Sequence, residues 1–279
     1  MKKFIAIILA ALLAVMAFSF VGCGKSDDTD AGDIDPTKTA AQTDSEYVKA
    51  NGKLIVGITD YKPMNYKDEN GEWIGFDTEL TKAFCATLGV EAEFIEIDWD
   101  YKFPSLKAKS IDCVWNGMTI TDEALKNSSV SEPYLTNSQE VVLKATDADK
   151  YDDMSKEQAV AALKDLTFAV EAGSAGEAAA KENGLKTIAV KTQSAALLEV
   201  KSGSCDGCII DKTMADATVG EGTSYANLDD ALTLSTEEFG VSFREGSDLC
   251  QMFNDFVKQY KASGEFQKLA DKYDVDVED

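Results

Sequence analysis

Histidine is absent from the 279 residues, and arginine occurs once, at Arg244. The first absence removes the commonest general base and metal ligand. The second removes the usual bidentate clamp for carboxylates and phosphates. Positive charge is scarce altogether, with 27 lysine and arginine residues against 50 aspartate and glutamate, a formal charge of −23. So acidic a surface is repelled by phosphate backbones and anionic headgroups, which argues against nucleic acid as a partner. Of the 6 cysteines, five remain once Cys23 is set apart for the reason below, and an odd number is no disulfide framework. Cys85 falls on an apolar helix face and Cys113 in an apolar strand, where a thiol acts as a small hydrophobe. Cys205-Asp-Gly-Cys208 has redox or metal spacing, but no second pair and no histidine completes a zinc site. A local disulfide or two plain thiols is expected there, with no metal and no cofactor.

One long apolar run, Phe4 to Phe20, follows Lys2 and Lys3. At about 17 residues it is near the lower limit for a membrane span. A basic start, an apolar middle and small residues before Cys23 describe an export signal. The Gly22-Cys23 junction resembles the lipobox of bacterial lipoproteins, which implies that Cys23 becomes the lipidated first residue of the mature chain. An uncleaved N-terminal anchor is the alternative; both readings put the rest of the chain outside the cytoplasm. Residues 1–22 are therefore read as signal and 23–46 as a tether, with one isolated aliphatic residue, Ile34, and no means of building a core. Its r.m.s. reach is on the order of 25 Å. Removing the two signal lysines takes the mature charge to −25, that is −23 minus 2.

The remaining chain alternates strands and helices. Lys53–Ile58, Glu91–Ile97 and Ile111–Trp115 read as strands, with helices at Asp77–Leu88 and Phe103–Ser110. Asp77 suits the helix N-cap and Gly89 ends that helix. A second series places strands at Leu166–Val170, Lys186–Val190 and Gly207–Ile210, and helices at Ser174–Asn183, Ser194–Lys201 and Lys212–Val219. Two helices punctuated by Gly264 close the chain. Alternation at this spacing means βαβ units and mainly parallel sheets. Two α/β lobes with a cleft between them follow.

Several segments carry a resemblance. They are Asp68 to Asp77 with its Gly-Phe-Asp end, Asp98-Trp-Asp100 before Phe103-Pro-Ser-Leu, and Trp115-Asn-Gly-Met-Thr-Ile-Thr121. Ala172-Gly-Ser-Ala-Gly-Glu177, Asp206-Gly-Cys-Ile-Ile-Asp211 and the segment from Lys261 to Ala270 complete the set. In this order and spacing the chain resembles the polar amino-acid solute-binding proteins of ABC importers, over about Tyr47 to Val275. The resemblance implies the two-lobed type II periplasmic-binding fold, with residues 47–138 plus 238–279 as one lobe and 139–237 as the other. It implies a hinge of two crossing strands near Leu135–Val141 and Leu234–Val241, and delivery of the solute to permease subunits by a monomer.

Candidate ligand-binding residues are Asp60, Tyr61, Trp99, Asn116, Gly117, Met118, Thr119, Ser174, Ala175 and Asp211. Open α/β sheets hold ligands past the carboxyl ends of their strands, where these residues fall. The Gly173–Gly176 turn offers backbone N–H groups and a helix dipole to an anionic group. Asn116, Gly117 and Thr119 bring an amide, close backbone approach and a hydroxyl. Asp211 can pair an ammonium group, and Tyr61 and Trp99 offer aromatic faces. Plainer readings stand beside these: Trp115 as core, Ser174 or Asp211 as helix caps, Asp60 as a turn residue.

One departure matters. The family carries an arginine three residues after its Thr-Ile-Thr, where it grips the ligand α-carboxylate; here that position is Ala124. Arg244 matches a strand end that is usually superficial. Backbone N–H groups, Lys126 or another lysine could take over, or the ligand could be an amine or modified amino acid without a free α-carboxylate. Some cyclohexadienyl dehydratases share the fold, but this chain has neither histidine nor the arginine such an enzyme would use, so no enzyme is expected. A sensory lobe pair would need a further membrane or signalling segment after the fold, and the sequence ends at Asp279.

Overall fold

The computed structural model describes residues 42–277; the signal and Cys23 assignments lie outside them. Helix α1 (Asp44–Asn51) comes first. It starts inside the stretch read as tether, because Thr43 and Glu46 cap its first turn reciprocally and so satisfy N–H groups a tether leaves to water. Next come β1 (Lys53–Ile58), the hairpin β2 (Tyr66–Lys67) and β3 (Trp73–Ile74), α2 (Phe76–Leu88) and β4 (Glu91–Glu96). A 3-10 turn at Trp99–Tyr101 leads into α3 (Lys102–Lys107), β5 (Cys113–Thr119), α4 (Asp122–Asn127) and β6 (Ser129–Val130). The chain continues through β7 (Leu135–Lys144), α5 (Ala145–Ala148), α6 (Lys156–Leu163), β8 (Thr167–Glu171), α7 (Ala175–Glu182) and β9 (Lys186–Val190). It ends with α8 (Gln193–Ser202), β10 (Gly207–Asp211), α9 (Lys212–Thr218), the long β11 (Leu228–Phe243), α10 (Leu249–Ala262) and α11 (Glu265–Tyr273).

Apart from the β2–β3 hairpin, the strands form one sheet in the order β4-β1-β5-β11-β7-β10-β8-β9, with β6 beside β11. β1 pairs in parallel with β4 and β5, and β8 in parallel with β9 and β10. Antiparallel β7 and β11 lie between these two sets, paired from Leu135 against Phe239 to Lys144 against Leu228. This is the two-lobed type II periplasmic-binding fold, each lobe a mainly parallel sheet flanked by helices and the two joined by two strands. Strands covered on both faces read as apolar runs, and β5 up to Met118 and all of β10 are buried.

Helix α10 closes the first lobe through aromatic contacts. The Phe253 ring meets Trp115 at 4.7 Å and Phe84 at 5.7 Å, both edge-on. Trp115 is fully buried, a core residue as its apolar strand suggests. Two expectations change here, and of the two readings left open for Cys205 and Cys208 the plain thiols hold. Helix α2 is capped by Gly75, not Asp77, whose buried carboxylate turns inward to the Gly117 N–H and the Tyr134 hydroxyl. Arg244 is not superficial: it is buried, and pairs with Asp44 at 3.0 Å and Asp112 at 2.7 Å. Cys205 and Cys208 are free thiols without a disulfide, and burial pushes the Cys208 thiol well up.

Candidate functional site

Carboxyl ends of parallel strands from both lobes converge on a cavity of about 330 Å³. The segment after β1 supplies Tyr61, β5 supplies Asn116 to Thr119, β8 supplies Glu171, and β10 supplies Asp211. Trp99 and Lys102 enter from the turn and helix after β4, and Ser174 and Ala175 from the start of α7. Of the residues expected from sequence, Asp60 alone stays out of the wall; it is exposed, and its carbonyl accepts from the Ser194 hydroxyl at 3.1 Å.

Presence in the wall does not mean a free valence. Asn116 is fully engaged inside its own lobe. Its Oδ1 accepts from the Thr59 N–H and hydroxyl, both at 2.9 Å, and its Nδ2 donates to the Thr59 carbonyl and to Asn65. The Gly117 N–H donates to Asp77 at 2.7 Å, and the Thr119 hydroxyl to Glu237 at 3.0 Å. These groups shape the wall, and the amide and N–H that looked available are already used. Gly117 has φ +52, and a Cβ there would fall 2.7 Å from the Tyr61 ring, so glycine is what lets that ring lie against the strand.

Asp211 stands at the cap position of α9 but makes no cap hydrogen bond. Its carboxylate instead accepts from Asn137 at 3.0 Å, from Gln193 at 2.5 Å and from Gln139. Asn137 and Gln139 also donate to Glu237, each at 2.7 Å. The joining strands β7 and β11 are thus bonded directly to the cavity floor. Ser174 caps α7 by accepting the Glu177 N–H.

Sequence reasoning missed Glu171, Lys102 and Gln193. Glu171 is the last residue of β8, one beyond the apolar run that marked the strand. It is 2 % exposed, and its Oε1 has no hydrogen-bond partner among the described residues. Burial, with the Asp211 carboxylate beside it, pushes Glu171 up to about 8; burial, with Glu237 nearby, pushes Asp211 up to about 7. Two buried carboxyl groups facing one cavity are costly when ionised unless a cation joins them. Lys102 is 7 % exposed and donates to the Trp99 carbonyl at 3.2 Å and, across the cleft, to the Gly173 carbonyl at 2.9 Å. Its signal was a lysine set between Trp99 and Phe103.

Other ties cross the cleft. Lys191 pairs with Asp98 at 3.2 Å, and a Cβ on Gly173, whose φ is +70, would fall 2.8 Å from Asp100 Oδ1. Ala124 is absent from the cavity wall; it packs with Trp99, Phe103, Leu106 and Met118 in an apolar cluster beneath it. Lys126 is exposed and outside the wall. Among the described residues no group of histidine, cysteine and carboxylate side chains could hold a metal ion, and no helix is long and apolar enough to cross a membrane.

Residues 54–275 match the family model for bacterial extracellular solute-binding proteins, family 3. The chain is 32% identical to the arginine-binding extracellular protein ArtP of Bacillus subtilis (strain 168), over 98% of each chain. Among solved structures it is similar to a mutant of ArgBP from T. maritima, with a TM-score of 0.74 and 31% identity, covering 82% of this chain and 98% of that one. It is also similar to the ancestral amino acid-binding protein AncCDT-1, a precursor of cyclohexadienyl dehydratase, with a TM-score of 0.73, 34% identity and the same coverage.

Proposed function

The chain belongs to family 3 of the bacterial extracellular solute-binding proteins, and from that premise we propose that it captures a cationic α-amino acid and delivers it to the permease of an ABC importer. The observation that carries the choice of ligand is Glu171, a buried carboxyl group with an unpartnered Oε1 beside buried Asp211. Asp211 takes the α-ammonium group and Glu171 the cationic end of the side chain. Trp99 and Tyr61 cover the aliphatic part between them. The arginine-binding extracellular protein ArtP and the arginine-bound form of ArgBP support the same class.

Capture proceeds by closure of the lobes, 47–138 plus 238–279 on one side and 139–237 on the other, about strands β7 and β11. A ligand that touches both lobes only when closed shifts the population to that form. The protein binds and does not convert its ligand, and Cys23 anchors it outside the cell membrane. Replacing Cys23 with Ser is expected to release it from the membrane fraction.

A second reading, an amine without a carboxylate, is favoured by Ala124, which supplies no guanidinium and is buried in the core. Calorimetry of the purified full chain against L-arginine, L-lysine, L-ornithine, L-glutamine and L-glutamate tests the ligand class. Cationic members are expected to bind most tightly, and preference for glutamine or glutamate would overturn it.

A further inference from the structure

Lys102 is the one basic side chain in the cavity wall among the described residues. Lysine is rarely this buried without an ionic partner, yet Lys102 makes no ion pair; both of its hydrogen bonds go to carbonyls. Its ammonium lies 5.1 Å from the Trp99 and Phe103 ring centres. Carbonyls and ring faces solvate a cation but do not neutralise it. An ammonium has three donors, and these two carbonyls leave one for a further partner.

We propose that Lys102 receives the ligand's carboxylate, in the role that the resemblance gives to the arginine missing at Ala124. This rests on the amino-acid reading above and names the group that distinguishes an amino acid from its amine. Ala124 packs with Trp99 and Phe103, the two rings that the Lys102 ammonium lies against. The lysine therefore serves the region a side chain at 124 would have served, approaching from α3 instead of α4. Across the cleft, Ser174 and Ala175 bring the start of α7 to the cavity, where first-turn N–H groups lack helical acceptors and the helix dipole favours an anion. The cavity then holds three buried charged side chains. Asp211 and Glu171 are negative once ionised and Lys102 is positive, the complement of a ligand with two cationic groups and one carboxylate.

The alternative role for Lys102 is a strut, holding Gly173 across the cleft with no contact to ligand. L-arginine and agmatine separate the two, because agmatine keeps the guanidinium and the amine and lacks only the carboxylate. Calorimetry of the full chain is expected to show wild type binding L-arginine about ten-fold or more tightly than agmatine, the worth of one charge-assisted contact. Lys102→Met is expected to abolish that ratio, weakening L-arginine about ten-fold and leaving agmatine within about three-fold. Should Lys102→Met fold poorly, Lys102→Gln keeps a donor for the Gly173 carbonyl without the charge, and the same loss of the ratio is expected. Equal weakening of both ligands, or a ratio unchanged in the variants, overturns the proposal in favour of the strut. If wild type instead prefers a neutral amino acid, the cationic reading fails, and Lys102 is judged by the ratio of that amino acid to its carboxamide.

Discussion

The Asp77 carboxylate accepts the Gly117 N–H at 2.7 Å, so the first turn of α2 fixes the end of β5 that walls the cavity. Tyr134 donates to the same carboxylate at 2.9 Å. Asp77→Ala leaves both donors buried without a partner, each costing about 1–3 kcal/mol. A lower unfolding midpoint and weaker ligand binding are expected together, and denaturant titration with calorimetry reads both. An unchanged affinity would mean that the wall holds its shape without Asp77.

Glu171→Gln separates stability from binding. The buried carboxyl group, pushed up to about 8, holds at neutral pH a proton that the unfolded chain releases, and an amide avoids the cost of that uptake. Thermal unfolding without ligand is expected at an equal or higher temperature. Affinity for a cationic amino acid is expected to fall about ten-fold or more, since a hydrogen bond to a charged group contributes about 1.5–3 kcal/mol. A variant that binds as tightly as wild type would remove Glu171 from the site.

Asp77 and Asp211 are pushed up to about 7 and Glu171 to about 8, chiefly by burial. In the unfolded chain such groups titrate near about 4. Below that pH both states hold the protons and these groups add no pH dependence. From about pH 4 to about 8 the unfolded chain releases protons that the folded chain retains, so stability falls as pH rises and the loss is complete above that window. Scanning calorimetry without ligand is expected to show the melting temperature declining from about pH 5 to about 8. Affinity for a cation runs the other way, rising through the same window as Asp211 and Glu171 ionise. A flat affinity profile would contradict the carboxylate pair as the cation's partner.

Gly173→Ala probes closure. Its φ of +70 strains any L side chain by about 1–2 kcal/mol, and the new Cβ would press on Asp100 of the facing lobe, 2.8 Å from Oδ1 and 2.9 Å from Cα. The second penalty applies only when the lobes meet. Affinity is therefore expected to drop by more than stability does. Solution scattering is expected to show a smaller contraction with saturating ligand than wild type gives.

Arg244 joins α1 to the first lobe through Asp44 and Asp112, and also donates to the Ile111 carbonyl at 3.1 Å. Arg244→Met strands two acids in a buried setting, at a cost of about 3–5 kcal/mol. Denaturant unfolding is expected to report that loss while ligand affinity stays close to wild type. A large affinity change would mean that Arg244 acts on the cavity after all.

The fold was legible because its signals are local: short apolar runs for strands, Gly89 after α2, Ser174 before α7. The cavity was legible as a set of strand ends, and Tyr61, Trp99 and Asp211 line its wall. What sequence could not reveal was which groups are already spoken for. Gly117 meets Asp77 across 40 residues and Asn116 meets Thr59 across 57, so their occupancy depends on tertiary pairing. Arg244 looked superficial for the same reason, its partners lying 200 and 132 residues away. Lys102 is held in part from the other lobe, by the Gly173 carbonyl 71 residues away.

Asp122, Glu123 and Glu182 stand exposed where the cavity wall reaches solvent, on a chain whose formal charge is −23. Acids in that position add little to the depth of binding, because water and salt screen them. Their consequence is kinetic. A mouth of one sign draws in ions of the other and speeds their encounter, an effect that fades as ionic strength rises. Cationic solutes would reach this protein faster than neutral ones of the same size, and glutamate or aspartate would be turned away before any contact with the binding wall. Selection between solutes then begins in the approach, with dissociation rates left to the buried groups.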